Sequence, residues 1–151
     1  MPEPTDTTET TDAQTREANK KAVERTFEMM ATHDFDALDD VMDEGLTFSD
    51  PLMELEGLDD YKDLMRGRFS ALPDTDATLH TMVAEDDVVV VHLSYRATHE
   101  GEYQGIEPTG NEVEGTAVMI DRFKDGNIVE RIEEYDTLSW FQQLGVDPST
   151  I

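Results

Sequence analysis

The chain has 151 residues, and its 11 Lys plus Arg against 36 Asp plus Glu give a formal charge of −25. Leu, Ile, Val and Phe make up a little over a fifth of it, just above the ~20% level below which a highly charged chain stays disordered, and none of them precedes Val23. One modest core is therefore expected and two are not. The absence of Cys excludes disulfides, thiolate zinc sites and a Cys nucleophile. No apolar run approaches the ~20 residues of a membrane span, and the acidity argues against nucleic acid, whose binding needs clustered Lys and Arg.

The opening Met1-Pro2-Glu3-Pro4 lacks the basic and apolar pattern of a signal peptide, so a cytoplasmic location is expected. Acid pairs such as Asp39-Asp40, Asp59-Asp60 and Asp86-Asp87 lie all along the chain. A global excess of this kind reads as the solvated surface of a protein in a salt-rich cytosol. Molar salt would relieve its self-repulsion, because the Debye length falls to about 3 Å at 1 M.

Residues 1–12 contain nothing to bury and are expected to be a disordered acidic tail, followed by one domain over 13–151. A helix is expected from near Asp12, with Ala22, Val23, Thr26, Phe27 and Met30 as its buried stripe. Phe35, Leu38, Val41 and Met42 repeat at helical spacing and predict a second, short helix. Leu46–Ser49 reads as a strand stopped by Asp50-Pro51. A third helix is expected from about Leu58, with Tyr61, Leu64, Met65 and Phe69 on one face, ending before Pro73.

Beyond Pro73 the period becomes two. Strands are expected at Ala77–Ala84, Val88–Thr98, Glu112–Phe123 and Ile128–Asp136. Glu85-Asp86-Asp87 is a turn, Gly101–Gly110 a loop, and Lys124-Asp125-Gly126-Asn127 a hairpin turn. Leu138, Phe141 and Leu144 predict a short terminal helix closed by Gly145. Helices followed by antiparallel strands give an α+β pattern. A curved sheet around the helices makes a cone whose hollow suits a small molecule.

The runs His99-Glu100-Gly101-Glu102-Tyr103-Gln104-Gly105-Ile106-Glu107-Pro108-Thr109-Gly110 and Phe123-Lys124-Asp125-Gly126-Asn127-Ile128-Val129-Glu130, with Asp136-Thr137-Leu138 through Gln142-Gln143-Leu144-Gly145, resemble the SnoaL-like polyketide cyclases, or ester cyclases. Phe48-Ser49-Asp50-Pro51 after the second helix fits the same order of elements. The resemblance covers roughly residues 17–146. It implies a cone-shaped α+β barrel of the nuclear-transport-factor-2-like superfamily, with N-terminal helices packed in the concave face of a curved, mostly antiparallel sheet. It also implies a homodimer joined through the outer sheet face. The implied chemistry is an aldol-type ring closure of a polyketide ester, with no metal or organic cofactor. The family's catalytic Asp on the last strand falls at Glu133, a pocket His at Met119 and a pocket Asn at Asp50.

Arg131, Glu133 and Tyr135 share one strand face, opposite Ile132 and Glu134. Glu133 is either a general acid/base or one more surface acid. Arg131 either pairs with Glu133 or orients a substrate. Asp50, held extended by Pro51, either aims at the mouth of the cone or ends the strand as a turn acid. Asp136 either caps the terminal helix or joins the pocket. Tyr95, Tyr103 and Tyr135 either offer hydroxyls to a developing enolate or fill the core. His92 and His99, an odd seven residues apart, belong on opposite faces, so they do not share a metal; His33 and His80 stand alone in sequence. The methionines read as adaptable core or pocket lining. Met119 in place of a pocket His motivates an alternative, a non-catalytic binding module on the same cone. Isomerisation and epoxide hydrolysis are further alternatives for such a carboxylate-bearing cavity.

Overall fold

The computed structural model describes residues 4–147 and Ser149, the first eight by their backbone alone. Helix α1 spans Pro4–Ala31, and a 3-10 helix covers Phe35–Asp40. Strands β1 (Met42–Asp50) and β2 (Met53–Glu56) precede helix α2 (Leu58–Ala71). Strands β3 (Asp76–Glu85), β4 (Val88–Thr98), β5 (Glu112–Lys124) and β6 (Asn127–Tyr135) follow, and helix α3 (Thr137–Gln143) ends the fold.

The six strands form one curved sheet in the order β2-β1-β6-β5-β4-β3. All neighbours are antiparallel except β1 and β6, which run parallel. The sheet does not close, so β2 and β3 are edges. Both long helices pack against it, α1 over β3 and β4 and α2 over β1 and β2. On α1 the buried positions are Asn19, Val23, Thr26, Met29 and Met30, close to the expected stripe. Inner-face residues Val89, Val91 and Leu93 of β4 and Ala117, Met119 and Phe123 of β5 meet that stripe in the main core. A smaller cluster of Ala71, Leu72, Ala97, Val113, Trp140, Phe141 and Leu144 seats α3.

Four boundaries differ from the sequence expectation. The first helix begins at Pro4, not near Asp12, so its opening turns run through the stretch read as a tail. Propagating an existing helix adds a hydrogen bond per residue fixed, and acidic residues suit a helix N-terminus. The second helix is only 3-10 and ends before Val41 and Met42. There the amide of Ile128 donates to the carbonyl of Val41 at 2.8 Å, drawing the chain into the sheet, so β1 starts at Met42 and not Leu46. Finally, β2 was not expected at all. The Asp50 carboxylate accepts from the amides of Leu52 (2.8 Å) and Met53 (3.0 Å). That tight turn folds four residues back onto β1.

The expected turns are present. Asp125 and Gly126 both have positive φ, as a two-residue hairpin requires. At the end of α3, Gly145 (φ +76°) donates to the carbonyl of Gln142 at 3.0 Å and Val146 to that of Phe141 at 2.9 Å, the paired bonds of a Schellman stop.

Candidate active site

A cavity of about 180 Å³ lies between the two long helices and the concave face of the sheet. Thr26 and Met30 of α1, Tyr61, Met65 and Arg68 of α2 and Leu93 of β4 contribute to its wall. Three inward-pointing residues of β6, at the spacing of two that a strand demands, supply Arg131, Glu133 and Tyr135. Across the ladder Arg131 faces Asp121, Glu133 faces Met119 and Tyr135 faces Ala117. Exposed Ala31, Asp76 and Ala77 mark the mouth.

At the centre stands Arg68, and each nitrogen of its guanidinium addresses a different partner. One terminal nitrogen donates to both carboxylate oxygens of Glu133, at 3.2 and 3.3 Å. Nε donates to the hydroxyl of Tyr103 at 3.1 Å. The other terminal nitrogen lies 3.7 Å from Asp50. Burial opposes the charge on Arg68, but Glu133 and Tyr103 outweigh it and hold the group protonated. Glu133 is 13% exposed and Asp50 2%.

Below this cluster lies a second, fully buried one. Arg131 donates twice to Asp121, at 2.6 and 2.8 Å, once to the Tyr61 hydroxyl at 3.1 Å and once to Thr26 Oγ1 at 2.9 Å. Burial again disfavours the cation, and Asp121 and Tyr61 more than restore it.

Four aromatic rings form the other end. The rings of Tyr95, Tyr103 and Tyr135 lie 6.1–6.3 Å from that of Trp140, whose indole N–H donates to the side chain of Gln104 at 3.1 Å. Burial pushes the hydroxyls of Tyr95 and Tyr135 upward in pKa, and nearby Asp136 and Asp50 respectively add to the effect. Both phenols are therefore hydrogen-bond donors through neutral pH. Gly115 sits opposite Tyr95, and a Cβ there would lie 2.8 Å from the Tyr95 oxygen, so the ring's place depends on a missing side chain.

Of the residues singled out in the sequence, Glu133, Arg131, Met119, Tyr95, Tyr103 and Tyr135 all line the cavity. Two do not. Asp136 is exposed and caps α3, accepting from the Ser139 amide at 3.0 Å. Asp50 is not in the wall or at the mouth: one oxygen is spent on the β1–β2 turn, and the other faces Arg68 from behind. The supposed Arg131–Glu133 pair is also corrected, because Arg131 belongs to Asp121 and the partner of Glu133 is Arg68. His92 is exposed on the outer sheet face, where its ring lies 5.7 Å from that of His80. His99 is buried, its Nδ1 accepting from the amide of Thr109 at 3.2 Å, which ties down the loop carrying Tyr103. No three His, Asp or Glu side chains among the described residues converge as metal ligands.

Arg68, Asp121, Tyr61 and Trp140 were not foreseen as site residues. Arg68 follows Tyr61 and Met65 and precedes Leu72 at steps of four, three and four, which places it on the buried stripe of α2. Asp121 shares the odd-numbered inner face of β5 with Ala117, Met119 and Phe123.

A sequence profile of the SnoaL-like polyketide cyclases matches residues 20–144. The chain belongs to that family. Among curated proteins no sequence matches it. Solved structures similar to this SnoaL-like chain include AclR of Streptomyces galilaeus, proposed to be a hydroxylase, at 25% identity, with 86% of this chain and 97% of that one covered and a TM-score of 0.76. A proposed SnoaL-like polyketide cyclase of Jannaschia sp. CCS1 aligns over 88% of this chain and 95% of its own at 21% identity, with a TM-score of 0.82. An LEH-like epoxide hydrolase of M. tuberculosis aligns over 85% and 90% at 16% identity, with a TM-score of 0.70. The last two likenesses concern the fold of this SnoaL-like domain alone. No helix among its described residues is long and apolar enough to cross a membrane.

Proposed function

We propose that this SnoaL-like chain closes a ring in a polyketide-like or β-keto ester substrate by an aldol-type reaction, with Glu133 as acid and base. The observation that carries the reading is the Glu133 carboxylate, which projects from β6 into an apolar cavity and is held there by Arg68. The carboxylate takes a proton from a methylene flanked by carbonyls. The carbanion attacks a second carbonyl of the same molecule, forming the carbon–carbon bond, and the resulting alkoxide recovers a proton from Glu133. Nothing is oxidised or reduced. Arg68 and the protonated phenols beside it supply positive charge and donors where oxygen becomes anionic. The test compares wild type with Glu133→Gln on a panel of β-keto esters and related carbon acids. Turnover should fall about 10²–10⁴-fold, the usual contribution of a positioned acid/base; equal turnover removes Glu133 from the mechanism.

One observation favours a second reading. Arg68 lies between two carboxylates, Glu133 and Asp50. With Asp50 steadying the guanidinium from behind, Glu133 could take a proton from a water attacking an epoxide while Arg68 stabilises the ring oxygen as it opens. Including a cyclic epoxide in the panel separates the two, since diol formation without ring closure selects this chemistry.

The outer sheet face supports a homodimer. Val83, Val90, Ile120 and Ile132 stand in one cross-strand row there, and Val83 is 55% exposed. Light scattering in molar KCl should give twice the chain mass, and Ile120→Glu should halve it. The charge of −25 further supports a cytosolic, high-salt setting.

A further inference from the structure

We infer that the floor of the cavity is a subsite for an acceptor oxygen of the ligand, and that the Tyr61 hydroxyl is the donor that holds it. Tyr61 is 1% exposed and lines the cavity from α2. Its oxygen already accepts an N–H from Arg131 at 3.1 Å. Its hydrogen, however, has no acceptor among the described residues, because the bond from Arg131 is the single hydrogen bond the hydroxyl makes there. A buried donor without a partner is costly to keep. It is explained if the missing acceptor arrives with the ligand.

The surroundings suit that task. Arg131 is fixed on its other nitrogens by Asp121 and Thr26, so it cannot swing to take the ligand itself. Its donation polarises the phenol and strengthens the O–H as a donor. Burial raises the Tyr61 pKa, Arg131 partly opposes this and Glu133 adds to it, so the proton stays in place through neutral pH. Thr26, the other hydroxyl on this floor, gives its hydrogen to the carbonyl of Val23 at 2.7 Å and has none to offer. The ligand class follows: a carbonyl compound whose oxygen reaches the floor and gains negative charge there. The inference rests on the cavity being the ligand site, and it stands whether or not Glu133 is the base.

Binding of 4-nitrophenol, followed by absorbance, tests this without turnover, with 4-nitrotoluene as a probe of the same shape that keeps the nitro group and lacks only the phenol oxygen. Wild type should bind the phenol at least about tenfold more tightly than the toluene. Tyr61→Phe should lose most of that preference while binding 4-nitrotoluene as wild type does. A preference unchanged in Tyr61→Phe, or affinities for both probes falling together, overturns the proposal. Should Tyr61→Phe fail to fold, Tyr61→3-fluorotyrosine keeps the shape and carries a more acidic hydroxyl. It should tighten 4-nitrophenol alone by roughly twofold or more, and an unchanged affinity overturns the proposal equally.

Discussion

The Arg131–Asp121 pair sets up the sharpest energetic prediction, because both side chains are 1% exposed and joined by two short bonds. Asp121→Asn keeps the shape and one acceptor oxygen but leaves the guanidinium without a contacting counter-charge, and its new NH₂ faces other N–H donors. Removing one partner of a buried ion pair costs about 3–5 kcal/mol. For a chain of this size each kcal/mol lowers Tm by roughly 2–4 °C, so a fall of about 6–20 °C is expected. Urea unfolding followed by circular dichroism should show the midpoint moving with an unchanged slope. The penalty should persist in molar KCl, because no screening ions reach a buried pair. Replacing both partners, Asp121→Leu with Arg131→Met, should recover most of the loss, since the desolvation of two charges disappears with them. An Asp121→Asn protein within about 1 kcal/mol of wild type, or a double variant no more stable than the single one, would refute this reasoning.

Three further outcomes follow from the same geometry. Asp136→Ala removes the cap of α3 and should cost about 1 kcal/mol by thermal unfolding, with the change felt by Trp140. Tyr61, Tyr95 and Tyr135 all have pKa values raised above the ordinary 10, chiefly by burial. Their stabilising contribution is complete below pH 10 and is lost as the pH climbs, because the unfolded chain releases phenolic protons that the folded chain retains. Tyrosinate absorbance in an alkaline titration should therefore lag until the protein unfolds; early ionisation of all four tyrosines would contradict the burial described. Lastly, Tm should rise between low and molar KCl as the charge of −25 is screened, and a flat or falling curve would reject the high-salt reading.

Much of the architecture was legible because period and punctuation agreed. The stripe on α1, the long alternating strands and the Asp125-Gly126 turn all announce themselves locally. Strand β2 does not, since four residues are too few to show a period, and it exists only because Asp50 folds the chain back. Strand parity put Glu133 on one face with Arg131 and Tyr135, and the family resemblance pointed that face inward. Spacing puts Arg68 on the apolar stripe of α2, but its pairing with Glu133 was not legible, because only tertiary packing brings it across to β6. Asp121 was hidden by register. Counting back evenly from the hairpin turn sets it against Glu130, and the bulge between Arg122 and Phe123 shifts the ladder by one to bring it to Arg131. A single inserted residue thus converts a like-charge clash into the anchor of the cavity floor.

The lone tryptophan of the chain, Trp140, closes one end of the cavity with three tyrosines packed around it. Light absorbed by those phenols passes to the indole over a few ångströms, so the protein's emission comes from one place. Any molecule entering the hollow changes the polarity and contacts of that fluorophore. The domain thus carries an intrinsic optical reporter, and candidate ligands can be ranked on unlabelled protein before any product is known.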